Sequence, residues 1–488
     1  MLVHCLWFAK LASKYISFQL RSLGTNLSYN DFSSLKLKQA LLDNLASLNY
    51  QAMTPIQAQS LPHVLNNKDV IAQGKTGSGK TAAFGLGVLQ KLNIKRFCVQ
   101  SLVLCPTREL ADQVATEIRR LARGIQNIKV LTVCGGSPIG PQIGSLEHGV
   151  HIVVGTPGRV EDHLRKQTLS LDDLNVLVLD EADRMLDMGF QESIDNIIEA
   201  MPAKRQTLLF SATFPESIQS IARRVMIEPV TVQVESMHSE DSIEQYFFQV
   251  EDNKALMTAL RLLLMQYKPE SALVFCNTKQ EANEIASQLH GFGFNALPLH
   301  GDLQQKDREQ TLVRFANKSV NVLVATDVAA RGLDIEDLEV VFNYHLPREL
   351  EVYTHRIGRT GRAGNKGIAC SVYTGKEQYK LNRLENYLQL PIQNSTLPKL
   401  SLLDKQAYKA SMITMQIDGG KKHKLRPGDI LGALTSGNGV NGRHVGKINI
   451  FDLKAYVAVD RRSSKAALKK LKNDKLKGRT FKAKLLAK

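Results

Sequence analysis

Val176-Leu177-Val178-Leu179-Asp180-Glu181-Ala182-Asp183 is the stretch that decides the architecture. Four apolar residues in unbroken succession, with no polar alternation, read as a strand buried on both faces, the pattern of a parallel sheet covered by crossover helices. The strand runs straight into acids. Upstream in the same half stands Gly74-Lys75-Thr76-Gly77-Ser78-Gly79-Lys80-Thr81, which matches G-x-x-x-x-G-K-[ST]. In that pattern the backbone N–H groups of Gly77, Ser78 and Gly79 cradle phosphates, Lys80 reaches the outer phosphates, and the Thr81 hydroxyl ligates Mg²⁺. Asp180 is then the acid a magnesium phosphate needs, so Thr81 and Asp180 are the metal-ligand candidates, and Glu181 can orient or deprotonate the attacking water. The two motifs together imply hydrolysis of a nucleoside triphosphate, with ATP and Mg²⁺ as the expected cofactors.

Outward from this pair, residues from about Phe32 to Val234 alternate short apolar runs with helical stretches. The runs include Ser101 to Cys105, Val130 to Val133, His151 to Val154 and Thr207 to Phe210. A polar stretch, 235–242, reads as a linker. The same alternation resumes over 243–390, with strands expected at Ala272 to Phe275, Val322 to Ala325, Val340 to Phe342 and Ala369 to Tyr373. No second phosphate loop occurs there, so the second unit is expected to close over the nucleotide held by the first. Residues 391–409 read as another linker. Over 410–488 the order strand Met412 to Ile417, helix Pro427 to Leu434, strands Lys447 to Phe451 and Ala455 to Val459, helix Lys465 to Leu471 and strand Arg479 to Leu485 predicts a βαββαβ sandwich of RRM type. An aromatic RNP1 signature is absent; only Phe451 and Tyr456 fall near its place.

Composition narrows the class. At 488 residues the chain holds about three domains. No apolar run approaches the roughly 18 residues needed to span a bilayer, so no membrane partner is expected. Cys5, Cys98, Cys105, Cys134, Cys276 and Cys370 are scattered without a Cys-x-x-Cys pair, the usage of reduced thiols in a cytoplasmic protein. Net charge is +16, and residues 401–488 carry 21 Lys+Arg against 6 Asp+Glu, leaving only +1 for the first 400. Basicity concentrated in one module is what phosphate neutralisation requires. Residues 1–30 contain Lys10, Lys14, Arg21 and no acid, but Lys10 and Lys14 interrupt the apolar stretch of a secretory signal. They are read as a leader or a dispensable extension.

Hydrolysis also needs positive charge on the transferring phosphate. His355-Arg356-Ile357-Gly358-Arg359-Thr360-Gly361-Arg362 places two arginines three apart in the second unit, and Arg359 and Arg362 are the candidates for that role.

Taken together these motifs resemble the DEAD-box family of ATP-dependent RNA helicases, over most of the chain. The resemblance implies two tandem RecA-like α/β domains followed by the small RRM-like α+β module, and RNA as partner. Asn49-Tyr50-Gln51-Ala52-Met53-Thr54-Pro55-Ile56-Gln57 resembles the family's Q motif, with Asn49 where glycine is usual. By that similarity Thr54 and Gln57 belong to the nucleotide site, Gln57 reading the adenine edge and Phe32 stacking on its ring. Ser211-Ala212-Thr213 would couple hydrolysis to RNA release through Asp183, and Asp334 would contact the ribose. Arg108, Gly136, Thr156 and Arg159 in the first unit, and Thr278, Gln305, Arg308 and Thr326 in the second, match the family's RNA contacts. Glycines, hydroxyls and arginines suit sugar and phosphate rather than base edges.

Leu104 to Val114 and the runs Ile417-Asp418-Gly419-Gly420-Lys421-Lys422 and Leu425 to Leu434 are similar to a bacterial branch of that family. This implies that the basic module recognises a hairpin near the peptidyl transferase centre of 23S ribosomal RNA and delivers the core to nearby duplexes during large-subunit (50S) assembly. Large-subunit precursors would be the partner, with no stable protein partner implied. Lys421, Lys422, Arg426, Arg443 and Lys447 are the candidate contacts, chosen from charge and turn placement. A general messenger-RNA or cold-adaptation helicase would share the core but leave the structured basic module without a defined target. An ATP-gated RNA clamp would use the same residues without useful unwinding.

Overall fold

The computed structural model describes residues 31–74, 77–234, 243–330, 338–361, 366–389, 391–437 and 439–486. Asp334, Arg362, the extension 1–30 and the linker 235–242 lie outside them. The chain divides into two compact units, the second holding both the second α/β domain and the C-terminal module.

In the first unit, strands β1 (Val70–Gln73), β2 (Ser101–Leu104), β3 (Val130–Val133), β4 (Ile152–Gly155), β5 (Val176–Asp180), β6 (Gln206–Ser211) and β7 (Val230–Gln233) form one sheet. Their order is β3-β4-β2-β5-β6-β1-β7, parallel throughout. Every residue of β2, β4, β5 and β6 is buried, as the unbroken apolar runs require. Parallel pairing sends all carboxyl ends to one edge, so the loops after β1, β2, β3, β4, β5 and β6, which carry the motifs, share that edge.

The second unit repeats the plan with β8 (Ile243–Val250), β9 (Ala272–Cys276), β10 (Ala296–Leu299), β11 (Val322–Thr326), β12 (Val340–Asn343) and β13 (Gly367–Thr374), in the order β10-β11-β9-β12-β13-β8 and again all parallel. Residues 391–409, read from sequence as a linker, are not a loose tether. Asn394 bridges to Phe247 of β8 and accepts a 2.6 Å hydrogen bond from Tyr373 Oη, while Leu397, Leu402, Leu403, Ala407 and Tyr408 pack on this domain's core.

The C-terminal module is the expected βαββαβ sandwich: β14 (Met412–Ile417), helix Pro427–Thr435, β15 (Val445–Ile450), β16 (Ala455–Asp460), helix Ser464–Asn473 and β17 (Ala483–Leu485). The sheet order is β15-β16-β14-β17, antiparallel. Its last strand is shorter than the expected Arg479 to Leu485, because Leu476 and Arg479 exchange backbone hydrogen bonds around Lys477 and Gly478, both at positive φ. That turn consumes Arg479.

Candidate nucleotide site and RNA-facing loops

The phosphate loop leaves β1 at Gly74, whose N–H donates to Ser211 O at the end of β6 (3.0 Å). It ends at Gly79, which has φ 94° and opens the helix Lys80–Lys91. A Cβ at Gly79 would collide with the Gln57 side chain, so glycine is required by both conformation and space. Unpaired N–H groups at a helix start are a ready anion site. Lys80 is buried and its Nζ donates to Gly74 O at 2.7 Å. Gln57 closes the other side: its Oε1 accepts from Thr54 N–H (2.9 Å) and its Nε2 donates to Gly79 O (3.1 Å). Thr54 Oγ1 and Ser78 Oγ are buried without a hydrogen-bond partner among the described residues, which fits a pocket whose polar ligand is a nucleotide. Phe32 is 4% exposed and packs at a steep angle on the Tyr50 ring, the two centroids 6.1 Å apart. Asn49 adopts φ 62°, the left-handed conformation that glycine or asparagine tolerates best, which accounts for the departure at this position.

At the end of β5 the three acids have different environments. Asp180 is 3% exposed, and burial, reinforced by the charge of Glu181, pushes its carboxyl up, with Lys80 opposing. A buried carboxylate so placed, with Thr81 in the first turn of the facing helix, suits a hard divalent cation. Glu181 sits at φ 52°, ψ 51° and its Oε2 accepts from Arg184 Nη1 at 2.8 Å, both side chains being almost fully buried. Asp183 Oδ2 accepts from the backbone N–H (3.0 Å) and hydroxyl (2.8 Å) of Thr213, while Asp183 N–H donates to Ser211 Oγ (3.4 Å). Burial alone would raise Asp183, but the Thr213 hydrogen bonds and the Arg184 charge outweigh it, and the carboxyl falls below its ordinary value. The expected link between Ser211 to Thr213 and the last acid is therefore present as geometry.

Loops after β2, β3 and β4 bring Arg108, Gly136, Thr156 and Arg159 together. Thr107 caps the helix Arg108–Leu121 by accepting from Leu110 N–H, which fixes Arg108 at its first position. Gly136 has φ 72° and lies so close to Arg108 that a Cβ would strike Nη1. Arg108 Nε and Nη1 are buried and find no hydrogen-bond partner among the described residues, leaving donors for an outside acceptor. Thr156 N–H donates to Val133 O, and Arg159 follows in the helix Pro157–Arg165, donating through Nη1 and Nη2 to Ser137 O (3.1 Å each). The same guanidinium reaches Gln142, which in turn meets His163; sequence reading had singled out neither.

In the second unit Thr278 caps the helix Lys279–Gly291 with its hydroxyl on Glu281 N–H, Gln305 opens the helix Gln305–Ala316, and Thr326 ends β11. Arg308 donates to Ala329 O at 3.1 Å. Arg359 is only 4% exposed, and its backbone N–H donates to Arg356 O at 3.2 Å. Arg356, beside it in the same motif, is a structural arginine: Nε and Nη2 grip both Asp327 oxygens (2.6 and 2.8 Å), and Nη1 reaches Asn343 and His345 O.

This chemistry agrees with what the chain is similar to. A DEAD/DEAH box helicase model matches residues 54–221, a helicase conserved C-terminal domain 254–364, and a DbpA RNA binding domain 414–485. The ATP-dependent RNA helicase DbpA of Escherichia coli is 52% identical over 456 residues, 93% of this chain and 99% of that protein. The chain belongs to the DEAD-box ATP-dependent RNA helicases, in the DbpA branch. DbpA of Bacillus subtilis is 38% identical over 92% of the chain and 98% of its own length. A solved structure of Saccharomyces cerevisiae Dbp5 bound to RNA and ADP BeF3 is 31% identical over 75% of the chain and 95% of its own, with a TM-score of 0.68.

The helicase's C-terminal module carries its candidate basic residues on the surface: Lys421, Lys422, Arg426, Arg443 and Lys447 are all exposed. Lys421 and Lys422 donate their backbone N–H groups to Phe451 O and Asp452 O in the turn after β15, which places them and the nearby Arg426 at one end of the sheet. Arg443 lies just before β15, at the opposite end, so the five do not form one cluster. Thr414, Gln416, Tyr456 and Ala458 share the sheet face an RRM would use for bases, and all are buried. That face is covered by the second α/β domain: Thr414 Oγ1 lies 2.7 Å from Ser319 Oγ and accepts from Asn317 Nδ2 (3.3 Å), and Gln310 Nε2 donates to Gln416 Oε1 (3.4 Å). Base stacking on this sheet is closed by packing, independently of the missing aromatic signature. Among the described residues no helix of the helicase is long and apolar enough to cross a membrane.

Proposed function

We propose that this helicase locally separates RNA duplexes of 23S ribosomal RNA during assembly of the large ribosomal subunit, directed there by its C-terminal module. The observation that carries the reading is the module itself: a folded βαββαβ unit holding nearly all the net charge, similar over residues 414–485 to a DbpA RNA binding domain. Lys421, Lys422, Arg426, Arg443 and Lys447 are its proposed contacts. In the core, Gln57, Phe32, Thr54 and the loop Gly77 to Thr81 bind ATP, with Asp334 on the ribose. Thr81 and Asp180 would hold Mg²⁺, which when bound offsets phosphate charge. Glu181 orients the attacking water, and Arg359 and Arg362 supply positive charge on the transferring phosphate. Arg108, Gly136, Thr156, Arg159, Thr278, Gln305, Arg308 and Thr326 hold the RNA backbone, and the Asp183–Thr213 pair, with Ser211, relays between the two ligands.

Steady-state ATP hydrolysis tests the assignment, compared without RNA, with generic single-stranded RNA and with 23S ribosomal RNA at matched nucleotide concentration and fixed salt. Preferential stimulation by the ribosomal RNA is expected. Equal stimulation by both would reduce the module to nonspecific electrostatics and favour a general helicase, and ATP-dependent binding without strand release would make the protein a clamp.

A further inference from the structure

We propose that Gln142 is a positioning residue that holds Arg159 in the pose in which it meets the RNA backbone, with His163 fixing which way the Gln142 amide faces. The proposal rests on Arg159 being a phosphate contact, as read above. Gln142 lies in the helix Gly140–Glu147, is 8% exposed, and carries four hydrogen bonds. Its Nε2 donates to Cys134 O and Ser137 Oγ, both at 3.1 Å, and its Oε1 accepts from Arg159 Nη1 (3.1 Å) and His163 Nε2 (3.0 Å). Cys134 O can only accept and Arg159 can only donate, so a single amide orientation satisfies the site. That orientation requires His163 Nε2 to carry its hydrogen. His163 Nδ1 lies 2.8 Å from Thr168 Oγ1, whose hydroxyl also has His163 O within reach (3.2 Å); in the neutral ring with its hydrogen on Nε2, Nδ1 accepts from that hydroxyl. Burial, and next the Arg159 cation, hold His163 below its ordinary value, in keeping with a neutral ring.

One side chain thus ties together the turn after β3, which contains Gly135 and Gly136, its own helix, and the helix bearing Arg159. The Arg159 bonds to Ser137 O and Gln142 use both Nη1 hydrogens and one on Nη2. Among the described residues no protein acceptor takes Nε–H or the second Nη2 hydrogen, which form one edge of the guanidinium fork, the geometry a phosphate accepts. Without Gln142 the guanidinium keeps only Ser137 O and is free to rotate off that edge.

Affinity for a labelled single-stranded RNA, measured with a non-hydrolysable ATP analogue across a salt series, tests the idea in the full chain. Each phosphate contact on a single strand contributes about 0.7 to the slope of log affinity against log salt. Arg159→Met is expected to lower the slope by about that amount and to weaken binding about tenfold at low salt. Gln142→Met should lose the same slope, and the double variant no more than either alone. His163→Gln, which keeps an N–H near the Nε2 position, should retain the parental slope, whereas His163→Leu should lose part of it. If Arg159→Met leaves the slope unchanged, the assignment of Arg159 to a phosphate is wrong. If Arg159→Met lowers it while Gln142→Met does not, or if the two losses add, the positioning role is overturned. Should Gln142→Met fail to fold, an unchanged slope in His163→Leu counts against the proposal by itself.

Discussion

Asp183 shows how much a single hydroxyl decides. The carboxylate is buried, yet it stays ionised because Thr213 gives it two donors and Arg184 a nearby cation. Thr213→Val keeps the backbone donor and removes the hydroxyl, so it should cost about 1.5–3 kcal/mol, the range for a hydrogen bond to a charged group. The folded carboxyl lies below its ordinary 3.8, so its stabilisation is fully present above that value and is lost as pH falls through the folded one. The penalty of Thr213→Val should therefore be constant from pH 7 to about 5 and shrink only in stronger acid. Urea unfolding at a series of pH values measures it, and a penalty that grew on acidification would refute the charged state. Asn49 offers a backbone counterpart. At φ 62°, Asn49→Gly should be neutral within about 0.5 kcal/mol, while Asn49→Ala should cost about 1 kcal/mol and lower Tm. Equal Tm values would mean that the left-handed turn is absent in solution.

At the scale of elements, the turn from β5 into the helix Ala182–Asp187 concentrates what the chemistry needs and what the fold tolerates least. Glu181 is a non-glycine residue in left-handed conformation, buried, and paired to an equally buried Arg184. Such conformations persist only where the surroundings over-determine them, and they cluster at active sites. Arg184→Met should destabilise the first domain by about 3–5 kcal/mol, because it strands a carboxylate in the interior. Adding Glu181→Gln to it should recover part of that loss while leaving ATP turnover at least about 100-fold down. Chemical denaturation and steady-state hydrolysis of the two singles and the double separate these effects; a double variant no more stable than Arg184→Met would deny the pairing any weight. The motif and its place after a buried strand were legible in sequence because unbroken Val/Leu runs and acids at a strand end are local patterns. Arg184 was not, since a charged residue in the first turn of a helix looks the same whether solvated or buried. Gln142 and His163 were invisible for a related reason: their partners come from different strand ends, and only the sheet order brings those ends together. In the His355 to Arg362 motif, likewise, nothing local marks Arg356 as structural.

For the whole molecule, the domain order and both parallel sheets could be read from periodicity, but how the third module is seated could not. Residues 391–409 carry Pro391 and Pro398 and no regular apolar period, so they read as a linker, although Leu397, Leu402, Leu403 and Tyr408 are committed to the second domain's core. The alternation of β14 and β16 marks two faces without saying that the second is also covered, by Gln310, Asn317 and Ser319. This changes how the division of labour between core and module should be tested. Removing residues from about 405 onward would uncover those polar groups and part of the packed strap, so a truncated core should lose stability as well as any preference for ribosomal RNA, and the two losses would be confounded. Charge reversal on exposed turns avoids this. Lys421→Glu with Lys422→Glu changes side chains that face solvent while their backbone bonds to the turn after β15 remain, so Tm should move by no more than about 1–2 °C. Stimulation of ATP hydrolysis by 23S ribosomal RNA should nevertheless fall severalfold, and stimulation by generic single-stranded RNA should not. Arg443→Glu with Lys447→Glu, just before β15 and within its first half, makes the same change of charge at the other proposed contacts. If both pairs reduce ribosomal stimulation equally and steeply with salt, the module acts as a diffuse electrostatic patch; if only the first does, recognition belongs to the end of the sheet where Gly420 packs against Phe451 and Asp452.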